Sequence, residues 1–179
     1  SRRNRSARGI LPAMSFTDTT DHSCRFLARD EAATANLGAA VAAAIRPGDV
    51  LALNGSLGAG KTRLVQSVAA ALGFADQAVN SPTFVLIHEY DSDVPLYHVD
   101  AYRLRDSDEF LSIGGDEVLA GDRACLIEWA DRIADLLPRD HLRIDIRALG
   151  ESEREFTLTA NGTRSANLLR EIRDHSTQT

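Results

Sequence analysis

Eight consecutive residues, Gly55, Ser56, Leu57, Gly58, Ala59, Gly60, Lys61 and Thr62, restrict this chain more than any other stretch. They match G-x-x-x-x-G-K-[ST] in full. The apolar run Val50 to Leu53 precedes them, and after them Leu64, Val65, Val68, Ala69 and Leu72 share one helical face before Gly73. Strand, glycine turn and helix in that order build a loop whose backbone N–H groups converge on anionic oxygens, because glycine admits dihedrals that a side chain forbids. The helix opening near Lys61 adds unpaired amide donors and the positive end of its dipole. Lys61 offers a compact charge to β- and γ-phosphates, and Thr62 offers a hydroxyl to Mg²⁺. Of the 20 basic residues 19 are arginine, and Lys61 is the only lysine. Arginine serves everywhere else, so this one position calls for an ammonium and not a planar fork.

The size and charge of the chain exclude several other classes. A length of 179 residues suits one domain with room for a sheet and covering helices. The longest apolar run, Ala39 to Ile45, is far too short to span a bilayer, so no membrane association is expected. Residues 1–13 hold four arginines and no acid; without them 16 basic residues face 26 acidic ones, a net of −10. Such a body repels phosphate backbones, which disfavours direct binding of DNA or RNA. Cys24 and Cys125 match no metal-ligand spacing and are too few for a disulfide scaffold, so a reducing cytoplasm is the expected setting. We read residues 1–20 as an arm that is either disordered or an added extension, with Met14 the expected natural start, and residues 21–179 as the folded domain.

The remaining pattern gives an α/β fold, a single P-loop NTPase domain with a mixed central sheet flanked by helices. Strands are expected at Cys24 to Ala28, Val50 to Leu53, Phe84 to Glu89, Pro95 to Val99 and Ala124 to Ile127. The last is apolar enough to be buried on both faces. Asp30 can cap a helix carrying Leu37, Val41 and Ile45, which Pro47 and Gly48 end. Two alternating segments, Leu142 to Arg147 and Phe156 to Ala160, predict an antiparallel pair around Gly150, and a helix with Leu168, Leu169 and Ile172 closes the chain.

A phosphate loop needs an acid at a neighbouring strand end to hold the Mg²⁺ shell, and two residues qualify. Glu128 ends Ala-Cys-Leu-Ile, and Asp100 ends Leu-Tyr-His-Val. Both are expected to face the site, one through metal-bound water and one orienting the attacking water. His98 points away from Val99 and reads as a packed or exposed strand residue. Guanine recognition through Asn-Lys-x-Asp needs a second lysine, which the chain lacks, so ATP is the expected nucleotide. Small-molecule P-loop kinase and nucleotide-gated binding module stay open as alternatives on these residues.

Four strings in order then carry a resemblance: Leu53 to Thr62, Ser81-Pro82-Thr83-Phe84, Tyr97-His98-Val99-Asp100-Ala101-Tyr102-Arg103 and Leu126-Ile127-Glu128-Trp129. Over roughly residues 25–140 the chain resembles the TsaE (YjeE) family of ATPases in tRNA threonylcarbamoyladenosine biosynthesis. The resemblance implies slow ATP hydrolysis with Mg²⁺, coupled to the TsaD–TsaB protein complex, with tRNA met only indirectly. It implies catalytic roles for Lys61, Thr83, Asp100 and Glu128, Thr83 lying in a switch-like loop near the γ-phosphate. It places Thr62, Asp100 and Glu128 at the metal, and Trp129 beside the nucleotide or on the partner surface.

Overall fold

The computed structural model describes residues 14–74 and 87–177. In chain order these are β1 (Phe16–Thr17), β2 (Ser23–Ala28), α1 (Glu31–Ala44), β3 (Val50–Asn54) and α2 (Lys61–Ala71). There follow β4 (Ile87–Tyr90), β5 (Leu96–Asp100), α3 (Ser107–Ser112), α4 (Gly115–Val118) and β6 (Ala124–Glu128). A 3₁₀ turn (Ala130–Ile133), β7 (Leu142–Ala148), β8 (Arg154–Ala160) and α5 (Thr163–Thr177) complete it.

Local chemistry accounts for the elements that place the loop. The Asp30 side chain accepts from the Ala33 amide at 2.8 Å and caps the alanine-rich α1, a bond worth about 1 kcal/mol. Leu37, Val41 and Ile45 are fully buried between α1 and the sheet; each such side chain contributes about 2 kcal/mol. All five residues of β6 are buried, as expected of a strand with neighbours on both sides and layers on both faces.

The strands form one sheet in the order β1-β2-β8-β7-β3-β6-β5-β4. Its middle is parallel, with β3 between β6 and β7 and β5 beyond β6. The flanking pairs β7–β8, β2–β8, β1–β2 and β4–β5 are antiparallel. One face buries Leu51, Leu53, Leu96 and Leu126 against α1, α2 and α5; the other buries Val50, Ala52, Val99 and Ile127 against α3, α4 and the 3₁₀ turn. In register, Leu53 lies opposite Glu128 and Asp100 opposite Glu128. Three parallel strands thus end side by side where the glycine loop leaves β3, the edge at which open α/β sheets bind ligands.

The mixed sheet, the strand-loop-helix unit and the terminal hairpin are as the sequence predicts. The folded part, however, reaches into the arm expected over residues 1–20. Met14 is buried in the core, and Phe16–Thr17 pairs with β2, the Phe16 and Phe26 rings lying 5.5 Å apart. Two short helices, α3 and α4, were not expected.

Candidate functional site

The loop from β3 to α2 starts with a close approach. Gly55 has φ of 154°, and a Cβ there would lie 2.5 Å from the Ile146 carbonyl oxygen of β7, so only glycine lets the chain leave the sheet at this point. Gly60, at φ 113°, stands immediately before α2 and brings no side-chain cap. The first amide donors of the 11-residue helix therefore face the loop, with its dipole adding positive potential there. Leu57 lies at the exposed tip of the loop.

Lys61 is 4% exposed. Its Nζ donates to the carbonyl oxygens of Gly55 at 2.6 Å and Ser56 at 2.9 Å and sits 3.9 Å from the centre of the Trp129 ring. Burial pushes its pKa down, while Glu128, Asp100 and Asp131 pull it back up through space. The lysine is thus a desolvated cation resting on neutral groups within the field of three acids.

Glu128 is 2% exposed, and the hydroxyl of Thr62 donates to its two oxygens at 3.0 and 2.8 Å. With its proton turned to the carboxylate, the Thr62 oxygen keeps its lone pairs for a cation. The Nε2 of His98 lies 2.8 Å from Glu128 Oε1; since a carboxylate only accepts, that nitrogen is the donor. Asp100, 7% exposed at the end of β5, accepts from the Tyr102 amide at 2.9 Å. Among the described residues no group of three His, Cys, Asp or Glu side chains could hold a metal. The donor set present, one hydroxyl and strand-end carboxylates, fits Mg²⁺ carried mainly by phosphate and water oxygens.

The chain turns sharply after Glu128. Trp129 adopts φ 57° and ψ 39°, a left-handed conformation costing a side-chain-bearing residue about 1 kcal/mol. The turn carries its ring over Lys61 and against Tyr102 at 4.8 Å. Asn54 closes the other side, its Oδ1 accepting from the Asp131 amide at 3.1 Å. Beside the loop lies a cavity of about 800 Å³ walled by Gly58, Gly60 and Arg63, by Asp30 and Glu31 at the start of α1, and by Ser152 and Arg154 after β7.

The structure therefore gathers the loop residues Gly55 to Thr62 with Asp100, Glu128 and Trp129. Thr83 and the Ser81 to Phe84 string lie outside the described residues. Three features were not foreseen: the His98 contact with Glu128, the through-space pull of Asp131 on Lys61, and the Asn54 contact with the turn after Trp129. For His98 a signal existed, since strand alternation sets it on the same face as Asp100.

A parallel-centred sheet ending beside a glycine loop, with lysine, hydroxyl and acid in these positions, is a P-loop NTPase fold. The family model described as threonylcarbamoyl adenosine biosynthesis protein TsaE matches residues 28–156, and the chain belongs to that family. It is 47% identical over 135 residues to the tRNA threonylcarbamoyladenosine biosynthesis protein TsaE of Bacillus subtilis, covering 75% of this chain and 84% of that one. The protein of the same name from Treponema pallidum is 38% identical, over 75% of this chain and 98% of that one. A crystal structure of Bacillus subtilis YdiB superposes with a TM-score of 0.72 at 38% identity, covering 86% of this chain and 95% of the other. Among the described residues no helix is long and apolar enough to cross a membrane.

Proposed function

We propose that the chain is a cytoplasmic ATPase of tRNA threonylcarbamoyladenosine biosynthesis that acts through protein partners of the TsaD–TsaB kind. The observation that carries the reading is the bond from Thr62 to Glu128, which joins the first turn of the phosphate-loop helix to a buried strand-end acid. In this reading the loop amides from Gly55 to Thr62 enclose the phosphates, and Lys61 moves from the Gly55 and Ser56 carbonyls to the β- and γ-phosphate oxygens. The base and ribose occupy the cavity flanking Gly58 and Gly60, and the Trp129 ring stays beside Lys61. Bound with the nucleotide, Mg²⁺ would neutralise phosphate charge, held by Thr62 and by Glu128 and Asp100 directly or through water. Glu128, fixed by two donors, and Asp100 orient the attacking water, and the catalytic role of Thr83 is proposed from the family resemblance alone.

The acidic body supports partner proteins over RNA as the primary contact, with a net of −10 outside the first 13 residues. Nucleotide state would then favour one conformation and one partner affinity, with hydrolysis resetting the complex. The test is phosphate release from ATP by the chain alone and with TsaD and TsaB. Slow release that changes on adding the partners is expected; equal rates contradict partner coupling. Glu128→Gln should retain ATP binding and lose tRNA modification, whereas full modification would make the chain a nucleotide-gated binding module.

A further inference from the structure

We propose that His98 is a positioning residue that fixes the rotation of the Glu128 carboxylate; this rests on the reading of Glu128 given above. His98 is fully buried on β5, and its Nε2 donates to Glu128 Oε1 at 2.8 Å. Its other ring nitrogen, Nδ1, is buried and, among the described residues, has no hydrogen-bond partner. A buried polar atom without a partner disfavours the fold, and an apolar ring of the same size would avoid that. The imidazole is therefore not explained by packing alone; what it adds is one N–H aimed at one carboxylate oxygen.

The geometry says what that N–H does. Thr62 brings a single hydroxyl, its Oγ1 lying 3.0 Å from Oε1 and 2.8 Å from Oε2, a shared bond that leaves the carboxylate free to rock about its last torsion. The His98 donor holds Oε1 back toward β5 and so turns Oε2 and its free lone pairs toward Thr62 and the phosphate loop. Histidine reaches across registers to do this: His98 pairs with Leu126 on β6, and Glu128 with Asp100, so the contact is diagonal on one sheet face. On the far side, the His88 ring of β4 lies 6.5 Å away at 74° to the imidazole. Partners that orient a ligating group from behind typically change metal affinity or activity by about 10- to 100-fold when removed.

The test compares His98→Phe, which fills the space without a donor, and His98→Gln, which restores an N–H. Calorimetric titration of a non-hydrolysable ATP analogue is run in EDTA and in Mg²⁺, alongside melting temperature, kcat and KM. For the Phe variant we expect binding in EDTA within about twofold of wild type. We also expect an unchanged or raised melting temperature, and a loss of about 10- to 100-fold in both the Mg²⁺ enhancement and kcat. The Gln variant should recover most of that loss. A Phe variant with wild-type Mg²⁺ enhancement and kcat overturns the proposal, as does a Gln variant no better than Phe. If the Phe variant does not fold, the Gln variant is compared with His98→Asn, whose shorter arm cannot reach Glu128; equal Mg²⁺ enhancement in the two overturns it. Glu128→Ala in the same titration separates the layers. If it leaves the Mg²⁺ enhancement intact, the reading of Glu128 itself has failed. If it removes the enhancement while His98→Phe does not, only the positioning role has failed.

Discussion

The two ends of β3 both bury charge, and they handle it in opposite ways. Before β3, Asp49 is 5% exposed and accepts from the Arg164 guanidinium at 2.6 Å and the Arg46 amide at 2.8 Å. Arg164 also donates to the Pro47 carbonyl at 2.6 Å, pinning α5 to the turn that ends α1. There cation meets anion directly and the polar groups are saturated by the protein itself. After β3, Lys61 rests on two carbonyls and an aromatic ring, while Glu128 takes its hydrogen bonds from a hydroxyl and an imidazole. Neutral partners release a charge at less cost than an opposite charge does. The first end is built to stay shut, and the second to exchange its partners for a ligand.

Lys61→Ala should expose the contrast most sharply. Nucleotide affinity should fall on the order of 1000-fold, about 4 kcal/mol by calorimetry. The melting temperature should hold or rise, because a desolvated cation is removed. Arg164→Ala should do the reverse, costing about 2 kcal/mol in denaturant unfolding by removing the half-exposed guanidinium's hydrogen bond to buried Asp49, with nucleotide affinity unchanged. If Lys61→Ala lowered the melting temperature, or Arg164→Ala lowered nucleotide affinity, the division between the two ends would be wrong.

Gly55→Ala tests the boundary between the two regimes. Its Cβ would press on the Ile146 carbonyl oxygen at 2.5 Å in a conformation costing about 2 kcal/mol, so stability and nucleotide affinity should fall together. The smallest effect belongs to Asp140, whose carboxylate accepts from the Arg164 and Ser165 amides at 2.8 and 2.9 Å and caps α5. Partial burial acts to raise its pKa, but the Ser165 hydroxyl and these two amides outweigh it and hold the group below its ordinary 3.8. The folded state therefore binds the proton less readily than the unfolded chain, and the cap's contribution is present above pH 3.8 and lost as pH falls below it. Asp140→Ala should cost about 1 kcal/mol at neutral pH, and the difference from wild type should shrink below pH about 4 in a melting series.

What was legible in the sequence was what local chemistry decides. The strand-loop-helix unit follows from eight residues, the capped α1 from Asp30 and its alanines, and β6 from its unbroken apolar run. The strand order was not legible, because placing β3 between β6 and β7 depends on pairings far apart in the chain. Nor were β1, only two residues long, and the short α3 and α4, which carry too little period to read. The site divides the same way. Lys61, Thr62, Glu128 and Asp100 announce themselves by residue type and position at loop or strand end. The His98 contact needed the register of β5 on β6, and the meeting of Asn54 with the Asp131 amide needed the turn that Trp129 makes.

The most direct measurement is a crystal structure of the chain with a non-hydrolysable ATP analogue and Mg²⁺. The account predicts the triphosphate within the amides of residues 55–62, the Lys61 Nζ withdrawn from its present 2.6 and 2.9 Å bonds to Gly55 and Ser56 and placed on phosphate oxygens, and the Asp49–Arg164 pair unmoved. A nucleotide bound elsewhere, with Lys61 still on its two carbonyls, would contradict it.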